Sequence, residues 1–165
     1  MFTYLTHGSE YYMQRLIDKH KNRSILEFAG PEDIILYEES TEKTVFSTPE
    51  SFEIIDSEGE VTAHAPLILR YFQVSDDRRK VAESKLTEQK NFSDYAGFTA
   101  YRLLRPLRSQ SYCVVLQFSD EQTLADFKNS SIYRDTYEDS VVKNYQPADF
   151  ISNIHFTKTL LPIKE

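Results

Sequence analysis

Apolar and polar residues alternate from Phe2 to Thr6 and the run stops at His7-Gly8, which predicts a first strand ending in a turn. Ser9 stands where a helix cap belongs. Tyr12, Met13, Leu16, Ile17 and His20 then recur at helical spacing through Asn22, giving one apolar stripe. Two short apolar runs follow, Ile25 to Phe28 and Ile34 to Tyr37, and the Gly30-Pro31-Glu32-Asp33 link between them indicates a hairpin. Beyond the polar stretch Ser40 to Lys43, Pro49 and Glu50 suit the opening of a short helix. Phe52, Ile54 and Ile55 supply its apolar side, and Ser57-Glu58-Gly59 stops it.

The second half repeats the order. Leu67 to Val74 predicts a strand, and Ser75 and Asp76 cap a charged helix running to about Lys90. Gly97 precedes a strand from Phe98 to Leu104, which a turn with Pro106 and Ser109 joins to another from Tyr112 to Phe118. Ser119 with Gln122 makes a capping box, and Leu124 and Phe127 follow as the buried edge of its helix. A second helical piece carries Ile132, Tyr133 and Tyr137, and Ile154 to Ile163 is a final strand. The pattern is α+β. Residues 66–165 read βαββαβ, a ferredoxin-like order, and residues 1–65 form a partial unit that lacks its own closing strand. Two such sheets packed together would make a pseudo-dimer within one chain, so the expected state is a monomer.

Composition narrows the function classes. A chain of 165 residues can build its core without staples, and the lone Cys113 has no internal partner, which fits a reducing, cytoplasmic setting. The net charge of −7 repels a phosphate backbone, and the one basic run, Arg78-Arg79-Lys80, sits behind Asp76-Asp77, so no nucleic acid is expected as a partner. Met1 to Gly8 lacks the charged and apolar regions of a secretory leader, and no apolar run reaches the roughly 18 residues a membrane span needs. Eleven Tyr and eleven Phe, with no Trp, suit sheets with bulky aromatic faces.

Most chemical motifs are missing. There is no Gly-rich phosphate loop and no nucleophile elbow. His7, His20, His64 and His155 include no i,i+4 pair, and no Cys and His cluster offers four metal ligands, so no metal is expected. Cys113 lies in the apolar run Tyr112-Cys113-Val114-Val115-Leu116 and reads as a packing thiol. Glu38-Glu39 and Asp76-Asp77 read as solvated turns and caps.

The string Gly97-Phe98-Thr99-Ala100-Tyr101-Arg102-Leu103-Leu104-Arg105-Pro106 and the terminal Pro162-Ile163-Lys164-Glu165 resemble matching segments of the ABM-fold group that contains staphylococcal TRAP and Bacillus HmoB. Asp126-Phe127-Lys128, Ser130 and Tyr133 extend the likeness, as do Glu38-Glu39 and Gly59-Glu60 with His64. The resemblance implies a ferredoxin-like ABM fold and two traditions of function. HmoB-like relatives open heme with oxygen, using an Asn, a Trp and a His; TRAP is described as a membrane-associated, histidine-phosphorylated stress and signalling protein.

Matched position by position, the Asn place holds Arg70, or the neighbouring Tyr71 if the register slips by one, the Trp place Phe127 and the His place Tyr137, so the set that makes iron reactive is replaced and the expectation is a non-catalytic signalling accessory with no cofactor. The alternative is a heme pocket made by Arg70, Phe127 and Tyr137. In it a tyrosinate at Tyr137, its pKa lowered by an Arg such as Arg70, would ligate ferric iron, and Phe127 would press on the ring. Arg102, Arg105 and Arg108 would then face propionates, or else cap solvated strand ends. The likeness makes His64 a candidate for phosphorylation, against a plain structural role, and implies peripheral contact with a membrane; no motif names a signalling partner.

Overall fold

The computed structural model describes residues 1–147 and 155–164. Its strands are β1 (Phe2–Gly8), β2 (Ile25–Ala29), β3 (Ile34–Ser40), β4 (Glu50–Gly59), β5 (Leu67–Gln73), β6 (Phe98–Pro106), β7 (Ser111–Phe118) and β8 (Phe156–Pro162). The helices are α1 (Glu10–Lys19), α2 (Arg79–Leu86), α3 (Glu121–Lys128), α4 (Ser131–Tyr137) and the single turn α5 (Asp139–Val142). All strand neighbours run antiparallel, and the order β1-β3-β2-β8-β5-β7-β6-β4 closes into a barrel.

Because side chains alternate across a strand, each strand feeds two layers. Leu5, Phe28, Ile35, Tyr37, Phe52, Leu69, Tyr71, Leu104, Cys113, Val115 and Leu160 point into the barrel and pack on one another. Outside the second half, Phe72, Tyr101, Leu103, Val114, Leu116 and Phe118 form a floor for α2 to α5. Outside the first half, Tyr4, Leu36 and Phe46 meet Met13 of α1.

The segment expected to be a helix at Pro49 is strand β4. Ile54 packs toward the barrel interior and its neighbour Ile55 toward the outer layer, as a strand requires. Ile54 and Ile55 are adjacent and both half-buried, one in each layer, so the apolar positions do not alternate and fit a helical period equally well. The register shift between Ile54 and Asp56 blurs the pattern further. β4 pairs with β1 and with β6, so the first half does have a closing strand.

Other boundaries move for local reasons. Ser9 caps α1 through Tyr12 N–H, as the sequence indicated, but Tyr12 itself is exposed. The charged helix is a 3-10 turn followed by α2, ending at Leu86, and the Ser75 hydroxyl donates to Tyr145 O and makes no side-chain cap. Lys90 instead folds back and donates to the carbonyls of Leu86 and Glu88 at 2.8 and 2.7 Å, closing the C-terminal end of α2. α3 is capped by Asp120, whose carboxylate accepts from Thr123 N–H at 2.8 Å, while Ser119 N–H is spent on Gly97 O. α5 and the turn after it were not anticipated. β8 begins at Phe156; Ile154 lies outside the described residues.

α2 is tied to the barrel by charge. Arg105 donates to Glu83 through Nε and Nη2 at 2.8 and 2.6 Å and to Glu53 at 2.9 Å, and the Tyr112 hydroxyl also donates to Glu83. The Arg105 hydrogen bonds, with help from Tyr112, hold the Glu83 carboxyl below its usual range.

A depressed carboxyl contributes stability above its unfolded pKa, about 4.3, and loses it as pH falls through the folded value. Urea midpoints measured against pH are therefore expected to drop on the acid side of about pH 4, with a shallower drop in Arg105→Met. Gly59 has φ +69° and an added Cβ would stand 2.1 Å from Thr99 O, whereas at Gly97 (φ +81°) the nearest atoms are side-chain oxygens of Thr123 and Ser119. Gly59→Ala should cost roughly 2 kcal/mol or more. Gly97→Ala should cost less, and equal losses in denaturant unfolding would contradict this difference.

Candidate functional site

The three residues singled out on the second half share one layer, between the outer face of the strands and the helices. Arg70 points outward from β5, between the inward Leu69 and Tyr71. Its Nε donates to Tyr137 O at 3.0 Å, Nη2 to Asp139 at 2.5 Å and Nη1 to Thr157 Oγ1 at 3.4 Å. The guanidinium thus fastens the junction of α4 and α5 to the barrel. It meets the backbone of Tyr137, not the phenol.

Phe127 sits at the centre of a ring cluster. It stacks on Phe118 at 4.9 Å and meets Tyr95 at 4.9 Å, Phe92 at 5.8 Å and Tyr133 at 6.1 Å between centroids. Such pairs add about 0.5–1.5 kcal/mol each beyond area burial. Tyr133 also touches Tyr137 at 5.4 Å, so it joins the two candidates.

Tyr137 is fully buried and its hydroxyl has no hydrogen-bond partner among the described residues. Burial first, and then the charge of Asp56, push its pKa well above the ordinary tyrosine value. The pKa lowering expected from a nearby Arg is therefore reversed, because desolvation dominates and the Arg70 charge is directed at Asp139.

The sequence reading missed several groups in this layer. Tyr101 donates to Asp56 at 3.1 Å and to Leu86 O at 3.3 Å. Asp56 gets there because the β4 register shift re-aims it, a feature with no composition signal. His155 accepts from Gln73 N–H through Nδ1 at 3.3 Å, and burial and then Arg70 lower its pKa.

Neither Arg102 nor Arg105 is a solvated strand end. Arg102 is buried and donates to both oxygens of Glu39, which also accepts from Tyr37, and this group plugs one end of the barrel. Arg105 is committed to Glu83 and Glu53. Arg108 borders a surface cleft beside Pro49 and Pro106. Glu38 is likewise no solvated turn residue; it is buried and paired with both Nε and Nη2 of Arg23. Cys113 lies inside the barrel, where burial raises its thiol well above the usual range. His64 is exposed on the segment between β4 and β5, where it separates two clefts of about 350 and 320 Å³. Among the described residues no three His, Cys, Asp or Glu side chains gather to hold a metal, and no described helix is long and apolar enough to cross a membrane.

No protein-family model matches the chain. The signal transduction protein TRAP of Staphylococcus epidermidis is 28% identical over 166 aligned positions, covering 100% of this chain and 99% of its own. TRAP of Staphylococcus aureus is 27% identical, covering 98% of each. A solved structure described as a major regulator of staphylococcal pathogenesis superposes with a TM-score of 0.92 at 25% identity, over 99% of this chain and 100% of that one. LmHde, a heme-degrading enzyme of Listeria monocytogenes, has a TM-score of 0.78 at 14% identity, over 98% and 99%, and shares the fold. A second Listeria monocytogenes structure, a ferredoxin-fold protein related to antibiotic biosynthesis monooxygenases, gives 0.76 at 15%, over 99% and 95%. Through its whole length, in sequence and in backbone, this chain is similar to staphylococcal TRAP and carries the ferredoxin-like α+β fold of the antibiotic biosynthesis monooxygenases.

Proposed function

We propose that the chain is a TRAP-like accessory protein of signalling and stress response that performs no chemistry of its own. The observation that carries this reading is the full-length likeness to TRAP, joined to an outer layer in which Phe127 and Tyr137 are spent on packing and Arg70 on a structural clamp. The strand orders β4-β1-β3-β2 and β8-β5-β7-β6 support the finer architecture. In that view a partial unit, 1–65, and an ABM unit, 66–165, form an intramolecular pseudo-dimer that stays monomeric and cytoplasmic.

Exposure of His64 supports it as the phospho-acceptor of the same reading. Peripheral association with a membrane would then use surface contacts, and the acidic net charge argues against nucleic acid.

A second reading, heme binding or heme degradation of the HmoB type, is favoured by one feature, the buried Tyr137 hydroxyl without a partner. As packed, the residues do not fit a porphyrin. Phe127 is closed in by four rings, and the phenol that would ligate iron is held protonated by burial. Heme would require Phe127 and Tyr133 to move.

Titration of the purified chain with hemin separates the readings. We expect no saturable Soret shift, and no biliverdin-like absorbance after a reductant is added. Saturable binding with turnover would overturn the non-catalytic assignment. A saturable shift without turnover, abolished by Tyr137→Phe, would establish a heme carrier instead.

A further inference from the structure

The two ends of the barrel are built differently. At one, the inward Arg102 is saturated by Glu39, Glu58 O and Tyr101 O. At the other, residues opposite known interior positions must face the same way: His7 lies across from Ile35, and Lys158 across from Leu69. Both therefore point into the mouth.

Lys158 makes no ion pair among the described residues. Its ammonium rests 5.7 and 5.8 Å from the ring centroids of Tyr71 and Phe156, which are stacked on each other at 4.7 Å. Phe156 is 44% exposed, an unusual state for an inward-facing ring. Facing Lys158 across a cleft of about 280 Å³, the His7 imidazole is held at 2.7 Å by the Asp33 carboxylate. Because a carboxylate only accepts, Nδ1 of His7 is the donor in that bond and Nε2 is left over. Pro31 and Ile35 give the cleft an apolar wall. Asp33 is engaged by His7, and Glu32 stands exposed at the rim.

We propose that this mouth binds a small organic carboxylate, with its acid group on Lys158 and its apolar body against Pro31 and Ile35. A tethered cation with no carboxylate at ion-pair distance among the described residues, beside apolar surface at the mouth of a closed barrel, is the arrangement such a ligand completes. The cleft has the volume of on the order of ten water molecules, which limits the ligand to a compact acid. This site lies on the opposite side of β5 from the Phe127 layer, so it stands or falls independently of the signalling and heme readings.

Benzoate, benzamide and inorganic phosphate are suitable probes, titrated into the full chain carrying ¹³C-methyl isoleucine. Benzoate is expected to shift the Ile35 methyl resonances saturably. Benzamide, which lacks the charge, and phosphate, which lacks the apolar body, should each bind at least about tenfold more weakly. Lys158→Met should weaken benzoate by about tenfold or more, while Lys158→Arg retains most of the affinity. Should the methionine variant fail to fold in a thermal melt, Lys158→Gln replaces it. Equal binding of benzamide or phosphate, an unmoved Ile35 signal, or benzoate affinity unchanged in the neutral variant would each overturn the proposal.

Discussion

Backbone pairing around the closed barrel is the constraint from which the rest of the structure follows. Each strand has a hydrogen-bonded neighbour on both sides, the shortest seam being β2 to β8, which joins only Phe28 to Pro162 and Ala29 to Leu161. Closure leaves only two places for side chains. The lumen takes one alternating set, and the helices must cover the other from outside. β4 and β8 complete the ring by pairing outside their own half, β4 with β6 and β8 with β2.

That partition explains why the outer layer of the second half is poor in reactive groups. A floor of rings from β5 to β7 and a roof of rings from α3 and α4 exclude water, and exclusion of water keeps phenols neutral. Tyr101 and Tyr137 are both raised by burial before any neighbour acts. Polar atoms there survive by local pairing, as with Tyr101 on Asp56 or Arg70 on Asp139, and among the described residues the Tyr137 hydroxyl and Arg79 Nε are the exceptions. The strand ends show the opposite character, since the polar inward residues, Arg102, Glu39, His7 and Lys158, sit where the lumen meets solvent.

Much of this was legible in the sequence wherever an apolar run was sustained or a turn was marked. α1 announces itself by periodicity, the β2–β3 hairpin by Gly30-Pro31 at its turn, and β5 to β7 by sustained apolar runs, since both their faces are buried. The reading failed at β4 because the adjacent Ile54 and Ile55 pack into different layers, which breaks the alternation, and because a bulge shifts the register at that point. The cap of α3 fell one residue off because Ser119 and Asp120 are both good caps, and only the tie of Ser119 to Gly97 decides between them. At the candidate site, the family resemblance grouped Arg70, Phe127 and Tyr137 as one pocket, and the structure sets them in one layer. The resemblance did not tell that burial raises the Tyr137 pKa while Arg70 turns to Asp139, since depth and direction are not recorded by any spacing.

The crossed closing strands carry a mechanical consequence. If the chain were cut in the segment between Gly59 and Leu67, no strand would be interrupted, yet each fragment would carry two orphaned borders that match only the other's. Fragment complementation, in which both pieces fold by seeking each other out, is built into such an arrangement.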